Sequence, residues 1–491
     1  MYINTTWHNF TGKIKELRDK FIPSKSISGK AHKPWITRNI KTLHHKRDKL
    51  YKIMKRTGKT EDISKYMELR AKIQKAETRE YCRYIENIIE CGQDSTAQPA
   101  SKQKRFWSYI KSLRKDSGGV SPLKSDGIMY NNPKDKANIL NKQYQSVFTR
   151  ETPNIPDMEG PTYPSMPDIT VDTRGVLKLL KNIKPNKASG PDMIAARLLR
   201  ELAEEIAPLL TAIFQKSIRE NRVPDEWKLA NVTAVFKKGD RHKASNYRPV
   251  SLTCICSKIQ EHIMVSNILK HLDKYSILTD CQHGFRSRRS CESQLLLLTH
   301  DLARGLDAGE QQDLVILDFS KAFDKVPHLR LLAKLNHCGI RGDTKGWIQS
   351  FLCGRSQQVI IGENSEKAPV ISGVPQGTVL GPLLFLIFIN DLPKCVTSNV
   401  RLFADDCILY RPIKGKDDHK ILQEDLSNLA TWEHKWGMQF HPEKCNVMSI
   451  SRAKSPSQFA YNLKGHTLDR CSSTKYLGVM LSQNLDWSIH H

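Results

Sequence analysis

Two periods of hydrophobic spacing divide the chain. Before residue 149 the spacing is helical. Trp35–Lys59 and Glu61–Cys91 are predicted helices, and Tyr81, Tyr84, Ile85 and Ile88 of the second fall at i, i+3, i+4 and i+7, one apolar stripe. Shorter helices are predicted over Phe106–Lys115 and Asn131–Phe148, with polar breaks at 92–102 and 117–119. The stretch 149–167 holds five prolines and one glycine, which predicts an irregular connector and an architectural boundary. Beyond it the pattern is mixed. Val176–Ile183, Ile194–Asn221 (which carries Pro208), Ser257–His271 and Cys291–Ala308 read as helices. Ala230–Phe236 and Leu314–Leu317 read as strands, the latter fully apolar and so buried. Val400–Tyr410 reads as two apolar strands around an acidic pair, and a hairpin puts both acids at its tip.

The longest apolar run, Val379–Asn390, is too short to span a bilayer, where about 20 residues are needed, and reads as a core helix. The first twenty residues lack the apolar core of a secretory signal. With 491 residues, 39% hydrophobic and 26% charged, the chain can build a core, and wholesale disorder is excluded as a class. The net charge of +26 points to a polyanion, most simply nucleic acid. That excess is uneven: residues 1–120 hold 28 Lys/Arg against 12 Asp/Glu. This segment reads either as a solvated helical hairpin or as a phosphate-binding extension, and the two are compatible. A membrane-surface role fits poorly, because the basic stretch has no clean hydrophobic face. The 12 cysteines form no CxxC pairs, so a disulfide scaffold and a zinc ribbon are both disfavoured, and buried thiols in a reducing compartment are expected.

Candidate chemistry concentrates in a few segments. Asp405 and Asp406 lie between apolar strands, where adjacent like charges are costly without a cation. A bare Asp-Asp pair also fits an exposed acidic turn. A second segment changes the balance, because the run Leu314–Leu317 leads directly into Asp318. If the strands are neighbours, three carboxylates meet at their ends, which is what a two-metal phosphoryl-transfer site requires. Mg²⁺ suits such oxygen ligands. Asp324, six residues on, reads as a turn or helix-start residue. Between these segments, Gly373-Val-Pro-Gln376-Gly377-Thr-Val-Leu-Gly381-Pro382 describes a tight, backbone-exposing turn into an apolar helix. Lys237, Lys238, Arg248, Arg286, Arg288 and Arg289 sit upstream where a triphosphate could be gripped. Taken singly, each reads as a solvated surface charge.

The order of these motifs resembles the reverse transcriptases of non-LTR retrotransposons, the LINE class, and within it the jockey-like group. NYRPVSL (246–252), QHGFRSRRS (282–290), LDFSKAFDKVPH (317–328), GVPQGTVLGPLLFLIFINDLP (373–393), FADD (403–406) and YLGV (476–479) carry the resemblance, which covers about residues 170–482. It implies an α+β right-hand polymerase with a basic helical N-terminal extension at 1–120, an early fingers segment and linker at 121–169, fingers at 170–311 and palm at 312–440. The end of the palm, the primer grip and a truncated thumb would fill 441–491. It implies Asp318, Asp405 and Asp406, helped by the Phe319 carbonyl, as ligands of two Mg²⁺, with Mn²⁺ as a substitute. Lys237 and Arg248 would contact the triphosphate, and Phe323 would bar a ribose 2′-OH. Gln376 and Gly377 would lie beneath the nucleotide and template. Lys444 would stand near the leaving pyrophosphate, and Tyr476, Leu477 and Gly478 would form the primer grip.

The implied activity is RNA-directed DNA polymerisation, with an RNA template, a DNA primer and dNTPs as partners and no stable membrane association. The implied location is intracellular, cytoplasmic or nuclear. The chain stops just after the primer-grip motif and lacks the family's upstream endonuclease and most of a thumb, so a fragment of an element is expected. A catalytically inactive nucleic-acid-binding remnant is the alternative reading.

Overall fold

A computed structural model describes residues 2–23, 33–90, 109–110, 119–486 and 488. The predicted helix at 106–115 and the polar break at 92–102 therefore lie almost wholly outside the described residues. Two compact units emerge, one built from residues 1–19 and 120–491 and the other from residues 20–119.

The second unit is a helical hairpin of Arg38–Thr57 and Thr60–Glu90. Thr37 caps the first helix by accepting from Ile40 N, and Gly58 ends it in the left-handed region at φ 60°. The predicted stripe is the face that closes the hairpin, with Trp35 against Tyr81 and Tyr84 at 5.1 and 5.7 Å between ring centroids. His44 meets Glu77 at 2.8 Å across the pair.

The first unit holds two five-stranded sheets. One runs in the order Asp469–Arg470, Asn446–Ile450, Gln311–Leu317, Asp406–Ile413, Asn399–Phe403. Its three central strands are antiparallel neighbours. Gln311–Leu317 is buried along its length because both its faces are covered, and its second half, Leu314–Leu317, is wholly apolar. Val315 and Leu317 enter the main core, while Leu314 joins a second core with Ile408, Tyr410, Met448 and Leu298, Leu302 and Leu306 of the helix Cys291–Asp307. This is the period-2 alternation of a strand between two layers. The second sheet pairs Leu229–Phe236 with Tyr247–Leu252 antiparallel and with Arg355–Ile361 parallel. Arg355–Ile361 comes from beyond the first sheet's central strand in sequence, so the chain visits the second sheet twice.

Three sequence readings need adjustment. The predicted helix Ile194–Asn221 is two helices, Ala196–Glu201 and Ala203–Arg219, broken at Leu202, and Pro208 lies within the second. The connector 149–167 contains no helix or strand, as its prolines dictate, but it is not an architectural boundary. It is strapped along its length. Glu151 accepts from Leu329 N and Arg330 N, Tyr163 N donates to His337 O, and Arg341 binds Ser165 Oγ and Tyr163 O. Finally, most of the first helix, Ile3–Phe21, belongs to the first unit and not to the unit of the basic hairpin. Trp7 is buried edge-on against Trp227 at 4.8 Å and donates to Glu226 at 2.6 Å, and Asn4 exchanges hydrogen bonds with Asp225.

The described cysteines are free thiols, and Cys254, Cys256, Cys338, Cys407 and Cys445 among them are buried. No helix among the described residues is long and apolar enough to cross a membrane.

Candidate active site

The strand pair 311–317 and 406–413 is in register with Leu317 opposite Cys407, so Asp318 follows one step beyond and faces Asp406. Asp406 in turn pairs with Phe403, which leaves Ala404 and Asp405 as the two-residue tip of the hairpin. Asp318, Asp405 and Asp406 thus gather at one end of the sheet. Desolvation, then the charges of Asp405 and Asp318, push the Asp406 carboxyl up to about 6, with Lys237 and Arg248 opposing. Asp405 is raised by desolvation and by Asp318, with the same two bases opposing. Lys237 is lowered, first by desolvation and then by the like charge of Arg248. Bases from the second sheet and acids from the first therefore share one electrostatic neighbourhood.

Lys237 follows the strand Leu229–Phe236 and is fixed by Lys237 N donating to Asn246 O at 2.9 Å. Arg248 lies on the partner strand, opposite Val235. Lys444 Nζ lies 3.6 Å from Asp318 Oδ2. Three links hold its loop to the end of the catalytic strand. His441 N donates to Asp318 O at 2.8 Å, Ser320 N donates to Gln439 O at 2.8 Å, and Phe319 stacks on Phe440 at 4.3 Å.

Phe323 lies in the short helix Ala322–Lys325 and stacks on Phe385 at 4.5 Å. Gln376 Nε2 donates to Asp324 Oδ1 at 3.2 Å, and Ser251 N donates to Gln376 O at 2.9 Å, so this loop ties the second sheet to the short helix Ala322–Lys325. Gly377 has φ 103°, and a Cβ there would sit 2.5 Å from Ser251 O, which admits only glycine. Tyr476, Leu477 and Gly478 form a tight hairpin between Ser473–Tyr476 and Val479–Ser482, with positive φ at both Leu477 and Gly478. The Tyr476 ring is buried in the second core, where Gln294 donates to its hydroxyl at 3.3 Å, so only the tip of this motif faces outward.

Two members of the basic cluster at 286–289 depart from the surface-charge reading, while Arg288 is exposed as that reading expects. Arg286 donates to Thr279 O and Leu278 O, and Arg289 to Asp280 and Gln282 O. Both guanidiniums are spent on the loop's own carbonyls. Sequence reasoning also missed two residues. Gln282, 2% exposed, accepts from Ala404 N at 2.9 Å and Gly284 N at 2.7 Å and so pins the catalytic tip. Buried Glu261 accepts from Val379 N at 2.6 Å and Leu380 N at 3.1 Å, capping the apolar helix after the Gly377 turn. Asp324 is a helix-start residue as read, but its carboxylate also anchors Gln376. The QHGF motif was the available signal for Gln282. Nothing local marks Glu261.

A family model described as reverse transcriptase (RNA-dependent DNA polymerase) matches residues 235–481, half of the chain. The chain belongs to the reverse transcriptase family. Membership implies a fingers-and-palm polymerase fold, and the mixed helix and sheet content accords with it. Among relatives, a probable RNA-directed DNA polymerase from transposon BS of Drosophila melanogaster is 28% identical over 410 residues, covering 78% of this chain and 45% of the relative. The RNA-directed DNA polymerase from mobile element jockey of the same species is 26% identical over 506 residues, covering 98% of this chain and 54% of the relative. The X-element polymerase is 29% identical over 336 residues, covering 66% and 36%. The chain thus spans about half or less of the length of these relatives.

Among the described residues no three His, Cys, Asp or Glu side chains converge into a ready-made metal cage. The donor set nonetheless suits a divalent cation. The acids are all carboxylates, Asp405 and Asp406 are driven toward protonation by desolvation and then by neighbouring carboxylates, Asp318 acting on both, and Asp406 keeps solvent access.

Proposed function

We propose that this reverse transcriptase is an RNA-directed DNA polymerase of a non-LTR retrotransposon, which extends a primer 3′-OH with dNTPs along an RNA template. The gathering of Asp318, Asp405 and Asp406 at one sheet end, beside Lys237, Arg248 and Lys444, is the observation that carries this reading. Asp318, Asp405, Asp406 and the Phe319 carbonyl would hold two Mg²⁺ ions, or Mn²⁺ in their place, which lower the barrier by activating the attacking hydroxyl and steadying the leaving oxygen. Lys237 and Arg248 offset the triphosphate charge. Phe323, braced by Phe385, presents a ring at the sugar and disfavours a 2′-OH. Gly377 lets the nucleotide and template approach the main chain. Lys444 stands where a proton can pass to the departing pyrophosphate.

Residues 170–311 with 355–370 act as fingers, and the remainder of 312–440 as palm. The tip at Leu477-Gly478 guides the primer. The basic hairpin 38–90 contributes phosphate contacts, so template and primer affinity falls with salt.

The test is primer extension on an RNA template with a DNA primer, Mg²⁺ and dNTPs. Extension by the native chain, with none by an Asp405→Asn/Asp406→Asn chain that still binds the template, supports the proposal. RNA binding without extension by either chain replaces it with a non-catalytic nucleic-acid-binding role.

A further inference from the structure

Phe285 has no evident structural purpose. It is 60% exposed, and its φ of 54° lies in the left-handed region that a bulky side chain rarely adopts. Such strain persists only where the surroundings impose it. Here they do. Gln282 bonds to both Ala404 N and Gly284 N, His283 N donates to Leu402 O at 2.9 Å, and Leu402 N donates to Cys281 O at 2.9 Å. A Cβ on Gly284 would lie 2.3 Å from Ala404 N, so this turn is pressed directly onto the tip that carries Asp405. Arg286 and Arg289 lock the following residues to carbonyls at 278–282. The result is a rigid mount that holds one ring edge-on to Phe323, 6.2 Å between centroids, with most of its surface left open.

We infer that Phe285 is a stacking platform for the base of the primer's 3′-terminal nucleotide. This rests on the polymerase reading above. There the attacking 3′-OH must lie at the Asp405 tip and the incoming sugar at Phe323, and Phe285 stands on the segment that touches both. An exposed aromatic ring takes any base, as a polymerase that must accept every primer end requires, and loss of such a stack weakens binding by a factor of about ten.

The test uses the full chain and a fluorescent RNA–DNA primer–template, in equilibrium binding without dNTPs. Phe285→Ala and Phe285→Gly should bind about tenfold more weakly, with Phe285→Tyr at the native level. The melting temperature should be unchanged in the alanine variant and raised in the glycine variant, where the backbone strain is relieved. A primer ending in an abasic residue should cost the native chain a similar factor and cost Phe285→Ala nothing further. Native-level binding by the alanine and glycine variants overturns the inference. So does equal loss by Phe285→Tyr, or dependence on an abasic template position in place of the primer end. Failure of the native chain to bind any primer–template defeats the polymerase reading itself, a distinguishable result.

Discussion

Asp324 offers the sharpest test of how the site is wired. Its carboxyl sits behind the Gly377 turn and is pushed up to about 6, chiefly by desolvation, with Lys321 and the Gln376 hydrogen bond only partly offsetting it. An unfolded aspartate titrates near 3.9. The folded state therefore holds the proton more tightly, and the penalty for ionising Asp324 grows as pH rises through the window between these values. Well above pH 6 it is constant. About two units at 1.36 kcal/mol each give roughly 3 kcal/mol at pH 8, an upper bound for a largely buried group. At pH 5 the same linkage gives about 1.5 kcal/mol. Asp324→Asn removes the charge and keeps a carbonyl oxygen for Gln376 Nε2. It should therefore stabilise the chain, by about 3 kcal/mol at pH 8 and about half of that at pH 5. Denaturant titrations of both chains at the two pH values measure this, because other titrations cancel in the difference. A stability difference that does not grow with pH, or a destabilised variant at pH 8, would refute the account of Asp324 as a charge held at a cost.

Two further outcomes follow from contacts already described. Gln282→Ala leaves Ala404 N and Gly284 N without their buried acceptor, so kcat in primer extension should fall about tenfold or more while KM for dNTP changes little, and stability should drop by about 1–3 kcal/mol. Trp7→Ala deletes a buried indole packed on Trp227 and its bond to Glu226, and should cost about 3–5 kcal/mol in unfolding experiments despite lying far from the carboxylates in sequence.

Much of this was legible in the chain. The hairpin Asn399–Phe403/Asp406–Ile413 forms because two apolar runs flank a polar pair, and the apolar run Leu314–Leu317 marks the buried end of the central strand Gln311–Leu317. Period and polarity sufficed for both. What was not legible depends on pairs remote in sequence. Arg355–Ile361 is not among the strands read from the pattern, and only its parallel pairing with Leu229–Phe236 puts it in the second sheet. Arg286 and Arg289 carry the composition of a surface patch, yet backbone carbonyls at 278–282 consume them. Glu261 lies in the middle of the helix Ile255–Lys274, and nothing in its own segment says that it caps a helix more than a hundred residues on. A carboxylate satisfied by two main-chain N–H groups looks the same in sequence as one bathed in water.

These remote contacts share one physical logic. Each turn of the candidate site is short, strained or glycine-bearing, and cannot hold its shape alone. The Ala404–Asp405 tip, with Ala404 at φ 54°, is held by Gln282 and pressed by Gly284. The Gly377 turn is held by Ser251, Asp324 and, at the helix it opens, Glu261. The end of the Asp318 strand is held by His441 and Gln439. In every case the holding group comes from another element and bonds to the backbone or to a carboxamide, and none of these bonds is spent on the carboxylates of Asp318, Asp405 or Asp406. Rigidity is thus supplied to the main chain, and on the proposed reading the carboxylate oxygens would stay available to take up the geometry a divalent ion imposes. Loss of one holding group should therefore weaken turnover more than binding, because a displaced main chain misplaces the reacting atoms while the phosphate contacts that carry affinity remain.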